Sequence, residues 1–447
     1  MKKWGVLVLA LLLSASIGIA ERATGSGEGK KTLSPIQPRV IGSDFFGIHF
    51  HRLQLMPNEQ AVTTVWPPLS FGMLRLWDSR TRWADIEPEK GDWHFDRLDY
   101  YVAEASSRGV KVLYTLGSTP RWASARPEEG CSYYPHGCSA EPRSMEDWRE
   151  YVRVVARRYR GKICCYEVWN EPDFSGPPKD PKKRGGFYTG SVADLVEMAR
   201  IAREVLQEED PDAVLFSPGF VNGPHNRLDK FLSAGGWAHV QGISYHFYAW
   251  NDENRMLREI EAVRAVMQKN GLAHLPLWST EAGVEVHELN KPLPPAFKSR
   301  ITREEAAALM ARQVVLAAFA GLDKYFYYAW DSDRSGMVDR TGRFHPSRDA
   351  MLLVQRWLIG ARPDRCEIQV DRPTVCWGEK DAKPFAIVWN PEGTDAVEVP
   401  VPVGLHMATR QVAVPRWMGA TQDAMKPGSM LATPNPAFYT FERTPQQ

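Results

Sequence analysis

The stretch CYEVWNEPDF, residues 165–174, decides how this chain is read. Tyr166 to Trp169 have the make-up of a buried strand, a short apolar run rich in aromatic and β-branched side chains. The run ends in Asn170-Glu171-Pro172-Asp173, so carboxylates stand at its mouth where a core strand meets its loop. Similar apolar runs recur, at Phe45 to His51, Gly72 to Trp77, Val110 to Leu116, Ile163 to Trp169, Ala213 to Ser217, Val240 to Tyr248, Leu275 to Thr280 and Lys324 to Trp330. Between them lie stretches with helical spacing: Phe95 to Ser107, Ser144 to Tyr159, Ser191 to Glu208, Asp252 to Asn270, Arg303 to Ala320 and Ser347 to Leu358. Thr302 stands before Arg303-Glu304-Glu305 as a capping residue with a glutamate three positions on.

Strands that alternate with helices in this number predict an α/β fold, a (β/α)8 TIM barrel. An open doubly wound sheet is the rival. It would normally carry a glycine-rich phosphate turn after its first strand, and FFGIHFHR at 45–52 carries none. After Gly360 the texture changes to short alternating runs (Cys366 to Val370, Pro384 to Trp389, Ala396 to Val401, Phe438 to Phe441) separated by Pro, Gly and Asp. These predict a small C-terminal antiparallel β-sandwich domain. The expected layout is an export signal or membrane anchor at 1–20, a linker at 21–37, the barrel at 38–360 and the sandwich at 361–447.

The leader reading rests on Lys2 and Lys3, the apolar run Trp4 to Leu13 and the small residues before Ala20. An uncleaved anchor is the alternative, because Trp4 to Ala20 approaches the roughly 17 residues needed to span a bilayer. The address expected is periplasmic or secreted. Six cysteines in an exported chain point to bridges Cys131–Cys138 and Cys366–Cys376. Cys164 and Cys165 are adjacent in an apolar strand, where successive side chains face opposite ways, and read as buried free thiols. With 55 basic and 54 acidic residues the formal net charge is +1, which argues against a nucleic-acid partner. A monomer is expected.

In a (β/α)8 barrel the chemistry sits at the C-terminal ends of the strands. Glu171 follows the fourth strand there. Leu275 to Gly283 (LPLWSTEAG) repeats the arrangement and ends the seventh strand in Glu281. Strands four and seven face one another across a barrel, and two opposed carboxylates are what glycosidic cleavage requires, one to protonate the leaving oxygen and one to attack or activate water. A single strand-end glutamate is as readily a salt-bridge partner or helix cap. The 16 tryptophans suit sugar rings, although most of them are core residues on the simplest reading.

WNEPD at 169–173, HFY at 246–248, STEAG at 279–283 and YYAWD at 327–331 make the chain resemble the retaining glycoside hydrolases built on (β/α)8 barrels, and within them family 39. The resemblance covers most of the chain from about Pro38 onward. It implies a retaining double displacement with Glu171 as acid/base, its pKa raised, and Glu281 as a nucleophile that stays ionised. It implies Tyr248 as a support for the nucleophile and Asn170 as a ligand for the hydroxyl beside the anomeric carbon. By strand parity His246 shares the face of Tyr248, and Arg75 points inward to fix a carboxylate. Trp330 is expected as a stacking floor and His51 as a substrate ligand. No cofactor is called for, and the partner is a polysaccharide or oligosaccharide, an extracellular one cut internally being favoured.

Three alternatives stay open. His49 and His51 form the HxH pair with which metal-dependent barrel hydrolases begin, with His246 and Asp331 on suitable strands, but strand five lacks a His and strand four lacks a Lys. An exo-acting β-xylosidase-like enzyme and a non-catalytic glycan-binding barrel are the other two. The basic loop Lys179, Lys182, Lys183 and Arg184 meets acidic sugars or is simply solvated. The disulfide-bracketed CSYYPHGC at 131–138 presents Tyr133 and Tyr134 as a lip for sugar or is a stapled turn. The Pro-rich segment Val284 to Arg300 borders either a pocket or an open cleft.

Overall fold

The computed structural model describes residues 31–444 apart from 36–38, 55–62, 181, 182, 184, 250, 251, 288–291, 295–298, 370, 371, 392–395 and 415–427. The expected leader at 1–20, Lys182, Arg184 and part of Val284 to Arg300 lie outside the described residues. Among the described residues no helix is long and apolar enough to cross a membrane.

The apolar runs form the parallel strands β1 (Phe46–His49), β2 (Met73–Leu76), β3 (Lys111–Leu116), β4 (Ile163–Val168), β5 (Val214–Phe216, resuming at Phe220–Val221), β6 (Ile243–His246), β7 (Leu277–Ala282) and β8 (Lys324–Tyr327). β8 pairs with β1 in parallel. At β5 the ring closes through two bridges, Phe216 to Gly242 and Asn170 to Gly219. The expected barrel is therefore the observed one.

Its helices are α1 (Trp83–Ile86), α2 (Asp96–Ser106), α3 (Met145–Arg158), α4 (Val192–Glu209), α5 (Leu228–Ser233), α6 (Glu253–Lys269), α7 (Arg303–Phe319) and α8 (Pro346–Leu358). The short α1 and α5, of 4 and 6 residues, escape a search for helical periodicity because they span two turns or fewer. Thr302 and Glu305 form the capping box of α7. That helix is buried nearly all round, which explains its Ala-rich, non-amphipathic sequence.

Inside the barrel, alternate residues stack in layers. Met73, Leu113, Cys165, Phe216, Trp278 and Phe326 make an apolar floor. Gly47 leaves room for it, since a Cβ there would stand 2.3 Å from the Phe326 ring. Two residues further along their strands, Arg75, Thr115, Glu167 and Thr280 form a polar layer joined by hydrogen bonds.

The C-terminal strands are β9 (Ala361–Ile368), β10 (Thr374–Lys380), β11 (Lys383–Trp389), β12 (Val397–Pro400), β13 (Leu405–Val412), β14 (Ser429–Ala432) and β15 (Ala437–Arg443). Five of them form an antiparallel sheet in the order β9-β10-β11-β15-β13, and β12 pairs with β14 in a second, two-stranded sheet. Lys31–Leu33, within the stretch read as a linker, instead pairs with β9 as an edge strand. Alternation sorts the apolar residues to two faces. Ala386, Val388, Tyr439 and Phe441 pack with Met430 and Ala432 of β14, whereas Phe385, Ile387, Trp389 and Phe438 join the core shared with the barrel helices. The Trp357 ring of α8 stacks on Phe438 at 5.5 Å.

Both expected disulfides are present, Cys131–Cys138 and Cys366–Cys376. Cys164 and Cys165 are free, with Cys165 buried and Cys164 partly exposed. They do not point to opposite faces. The β3–β4 register skips Cys164, and this bulge turns both thiols the same way, bringing their sulfurs to 2.6 Å.

Candidate active site

Glu171 leaves β4 through an unusual backbone. Trp169 and Glu171 both adopt positive φ, 68° and 49°, a region costly for residues with a side chain. The Glu171 N–H donates to the Gly219 carbonyl at 2.8 Å, which ties the turn to the break in β5. Glu281 reaches the same space by another device. Trp278 and Thr280 of β7 point into the barrel, so strict alternation would turn Glu281 outward. The β6–β7 register shifts at this point, with Tyr245 opposite Ser279 and His246 opposite Glu281, and the bulge aims Thr280 and Glu281 inward together.

The two carboxyls meet. Oxygens of Glu171 and Glu281 and the His246 Nδ1 lie within 4.8 Å of one another. His246 Nδ1 is 2.8 Å from Glu171 Oε1 and 3.8 Å from Glu281 Oε2. Tyr248 donates its hydroxyl to Glu281 Oε1 at 2.5 Å, and Arg75 donates to Glu281 Oε2 at 3.0 Å. Arg75 also binds Glu167 and donates to Asn170 Oδ1 at 2.7 Å. Asn170 Nδ2 in turn donates to the Tyr133 hydroxyl at 3.1 Å. Arg75, Asn170, Glu171, His246, Tyr248 and Glu281 thus form one connected cluster.

Burial sets the electrostatics. It pushes the Glu171 carboxyl up to about 7, with Arg75 opposing and Asp78 adding to the rise. Burial also lifts Glu281 to about 7, against the pull of His246 and Arg75 and with the neighbouring Glu171 adding to the rise. Two close carboxyls in one dry site hold on to a proton near neutrality, so the expectation of an ionised Glu281 turns on which of the two carries it. Their hydrogen bonds decide who keeps it. Glu281 accepts from a guanidinium and a phenol, which stabilise its anion, and Glu171 has only His246. Burial depresses His246 to about 4, so the imidazole is neutral and does not compete for that proton. Glu167 is also pushed up by burial, but the charge of Arg75 overcomes this and leaves its pKa below the usual carboxylate value.

Two of the expected substrate ligands stand elsewhere. Trp330 is fully buried in the core, and its ring lies 6.1 Å from that of the exposed Phe344. It offers no free face to a sugar, which corrects the stacking role, because the chain turns after β8 and carries position 330 behind the wall. Tyr328, two residues earlier, is only half-buried and packs against the rings of His49 and His51, each at 5.1 Å. His51 lies on the rim beside Tyr328, its backbone N–H donating to Asp331 Oδ1 at 2.8 Å.

Sequence reasoning passed over Glu167, Asp78 and Tyr328. The signal for Glu167 was present, a carboxylate inside a buried strand with the inward parity of Cys165. Asp78 and Tyr328 left none, since loop conformation alone brings the Tyr328 hydroxyl to Asp78 Oδ2 at 2.6 Å.

The metal set does not assemble as His49, His51, His246 and Asp331. His49 Nε2 pairs with the Thr280 carbonyl at 3.0 Å, and the Asp331 carboxylate takes the backbone of His51 and Arg52 and the Thr64 hydroxyl. Among the described residues the one group spaced for a cation is Glu171, His246 and Glu281. The Arg75 guanidinium already lies 3.0 Å from that group's Glu281 Oε2, and a second cation there would be repelled. Lys179 and Lys183 of the basic loop are exposed.

No family model matches the chain. Endo-1,4-beta-xylanase A of Thermotoga neapolitana is 26% identical over 211 residues, 46% of this chain and 18% of that protein. Beta-xylosidase of Geobacillus stearothermophilus is 23% identical over 254 residues, 50% of this chain and 48% of that protein. The chain thus spans about half or less of the length of these curated relatives. Among solved structures, a family 39 glycoside hydrolase from Bacteroides cellulosilyticus WH2 superposes with a TM-score of 0.62 at 17% identity, covering 90% of this chain and 82% of that one. Over nine-tenths of its length the chain has the fold of that family 39 glycoside hydrolase.

Proposed function

We propose that this chain is a retaining glycoside hydrolase that cuts an extracellular polysaccharide, with Glu171 as acid/base and Glu281 as nucleophile. The observation that carries this reading is the approach of the two carboxyls, oxygen to oxygen within 4.8 Å. Retaining enzymes hold theirs roughly 5–5.5 Å apart, whereas inverting enzymes leave room for a water. Glu281, held by Arg75 and Tyr248, attacks the anomeric carbon while Glu171 gives its proton to the leaving oxygen. A glycosyl ester on Glu281 results. Glu171, now a carboxylate, takes a proton from the water that attacks the same carbon and releases Glu281. The arrangement supplies acid, nucleophile and a buried charge partner without a cofactor.

The xylanase and xylosidase relatives put β-linked xylan first among substrates, with bacterial exopolysaccharide second. Internal cleavage is the preferred mode. An exo-acting β-xylosidase type is the second reading, favoured by the match to the Geobacillus stearothermophilus protein. Export through residues 1–20 to the periplasm or beyond belongs to the same proposal, and N-terminal sequencing of the mature protein checks it.

The test is turnover in the Glu171→Gln and Glu281→Gln variants on xylan. Each is expected to lose about 10³-fold or more in kcat, and azide should rescue Glu281→Ala as a glycosyl azide of inverted configuration, formed by one direct displacement from the face that Glu281 would have used. A non-catalytic glycan binder would show no turnover in the parent protein and unchanged glycan affinity in the variants. Hydrolysis with inversion would sink the assignment of Glu281. Product lengths at early times separate internal from terminal cleavage.

A further inference from the structure

The wall of the cleft built by β8, β1 and β2 carries a third carboxylate that the double displacement does not use. Asp78 follows β2, is half-buried, and accepts from the Tyr328 hydroxyl at 2.6 Å through Oδ2. Among the described residues no other hydrogen bond and no ion pair reaches it, so Oδ1 is free to accept. Asp78 stands three residues beyond Arg75, just past the C-terminal end of β2, the end of the barrel at which β4 and β7 present Glu171 and Glu281, and its charge adds to the rise of the Glu171 pKa. On the other flank of Tyr328, the ring of His51 has a buried Nε2 with no partner among the described residues. A half-buried carboxylate oxygen without a protein donor takes its hydrogen bond from water or from a hydroxyl of whatever occupies the cleft.

Of the nearby cations, Arg75 is offset by Glu167 and Glu281 and Arg82 by Asp85 at 2.9 Å, whereas Arg227 donates to the Val221 carbonyl at 2.8 Å and its charge acts on Glu171. With one proton shared by Glu171 and Glu281, the space facing the sugar is left with a surplus of negative charge.

Resting on the glycosidase reading, we propose that Asp78, steered by the Tyr328 hydroxyl, binds hydroxyls of the sugar whose anomeric carbon meets Glu281, and that its charge selects neutral sugars against uronic acids. A carboxylate accepts two hydroxyl protons from a vicinal diol without displacing a countercharge. A sugar carboxylate beside Asp78 would meet like charge, with Arg75 and Arg82, the guanidiniums that feel Asp78, already paired to carboxylates, and binding would weaken.

The experiment compares xylan with β-1,4-glucuronan, polymers that share a linkage and differ in the carboxylate, using the parent chain, Asp78→Asn, Asp78→Ala and Tyr328→Phe. The parent is expected to favour the neutral polymer by about 100-fold in kcat/KM, a preference set by differential transition-state binding. Asp78→Asn and Asp78→Ala should each lose about tenfold or more on xylan while the glucuronan-to-xylan ratio rises. Tyr328→Phe keeps the charge and loses only the steering, so KM should rise with kcat and the ratio nearly unchanged. An unchanged ratio in both Asp78 variants, or a parent that prefers glucuronan, overturns the proposal and leaves the glycosidase reading intact. If the parent releases no reducing ends from xylan, glucuronan or bacterial exopolysaccharide, the glycosidase reading itself fails, and this proposal with it.

Discussion

Glu171 shows how one residue couples chemistry to stability. Its folded-state pKa is about 7 against an ordinary 4.5. The folded protein therefore holds this proton more tightly than the unfolded chain. The stabilisation is complete below about 4.5 and is lost as pH rises through about 7. Glu171→Gln, neutral at every pH, should be more stable than the parent by about 1–3 kcal/mol at pH 8 and nearly equal to it at pH 4.5, as read by calorimetry at both values. Activity of the parent should fall as pH rises through the same region, because the acid loses its proton. Glu167 behaves in the opposite sense. It is fully buried and bound to Arg75. Glu167→Gln removes the larger share of the countercharge around that guanidinium and should cost about 3–5 kcal/mol in urea unfolding.

At the scale of elements, the irregular positions carry the site. β4 ends in two left-handed residues, β5 is interrupted at Gly219, and β7 has a bulge at its last residues. A Cβ at Gly219 would stand 2.6 Å from His246 Nε2 and 2.9 Å from Glu167 Oε1, so the break in β5 is what lets the polar layer close. The loop Cys131–Cys138 is a second such element. Its Tyr133 hydroxyl accepts from Asn170, and the Arg82 guanidinium lies 5.1 Å over the Tyr133 ring. Opening that bridge with the double replacement Cys131→Ser and Cys138→Ser should cost about 2–3 kcal/mol of stability. It should also raise KM on xylan more than it lowers kcat, because Asn170 loses a fixed neighbour. Equal KM in parent and variant would show the loop to be a stapled turn only.

At the scale of the molecule, barrel and C-terminal strands share one core. Glu253 of α6 accepts from Trp389 Nε1 at 2.8 Å and pairs with Arg312 of α7, whose guanidinium also donates to the Pro434 carbonyl at 2.6 Å. These contacts bury the outer faces of α7 and α8, including Trp357. A chain ended after Gly360 should expose that apolar surface and aggregate. Soluble, cooperatively melting 1–360 protein, followed by calorimetry and sedimentation, would show the barrel to be independent.

Much of this was legible in the residues themselves. Apolar runs at regular intervals specify strands, helical spacing specifies helices, and Thr302 with Glu305 marks a helix start, because each of these depends on neighbours close in sequence. Position after the fourth and seventh strands singled out Glu171 and Glu281 for the same reason. Contacts between distant segments followed another logic. Whether Trp330 faces sugar or core, whether Cys164 and Cys165 point apart, and which hydroxyl meets Asp78 depend on bulges and loop paths. A single extra residue in a strand reverses the face of everything beyond it, and only the closed barrel determines where such residues are placed.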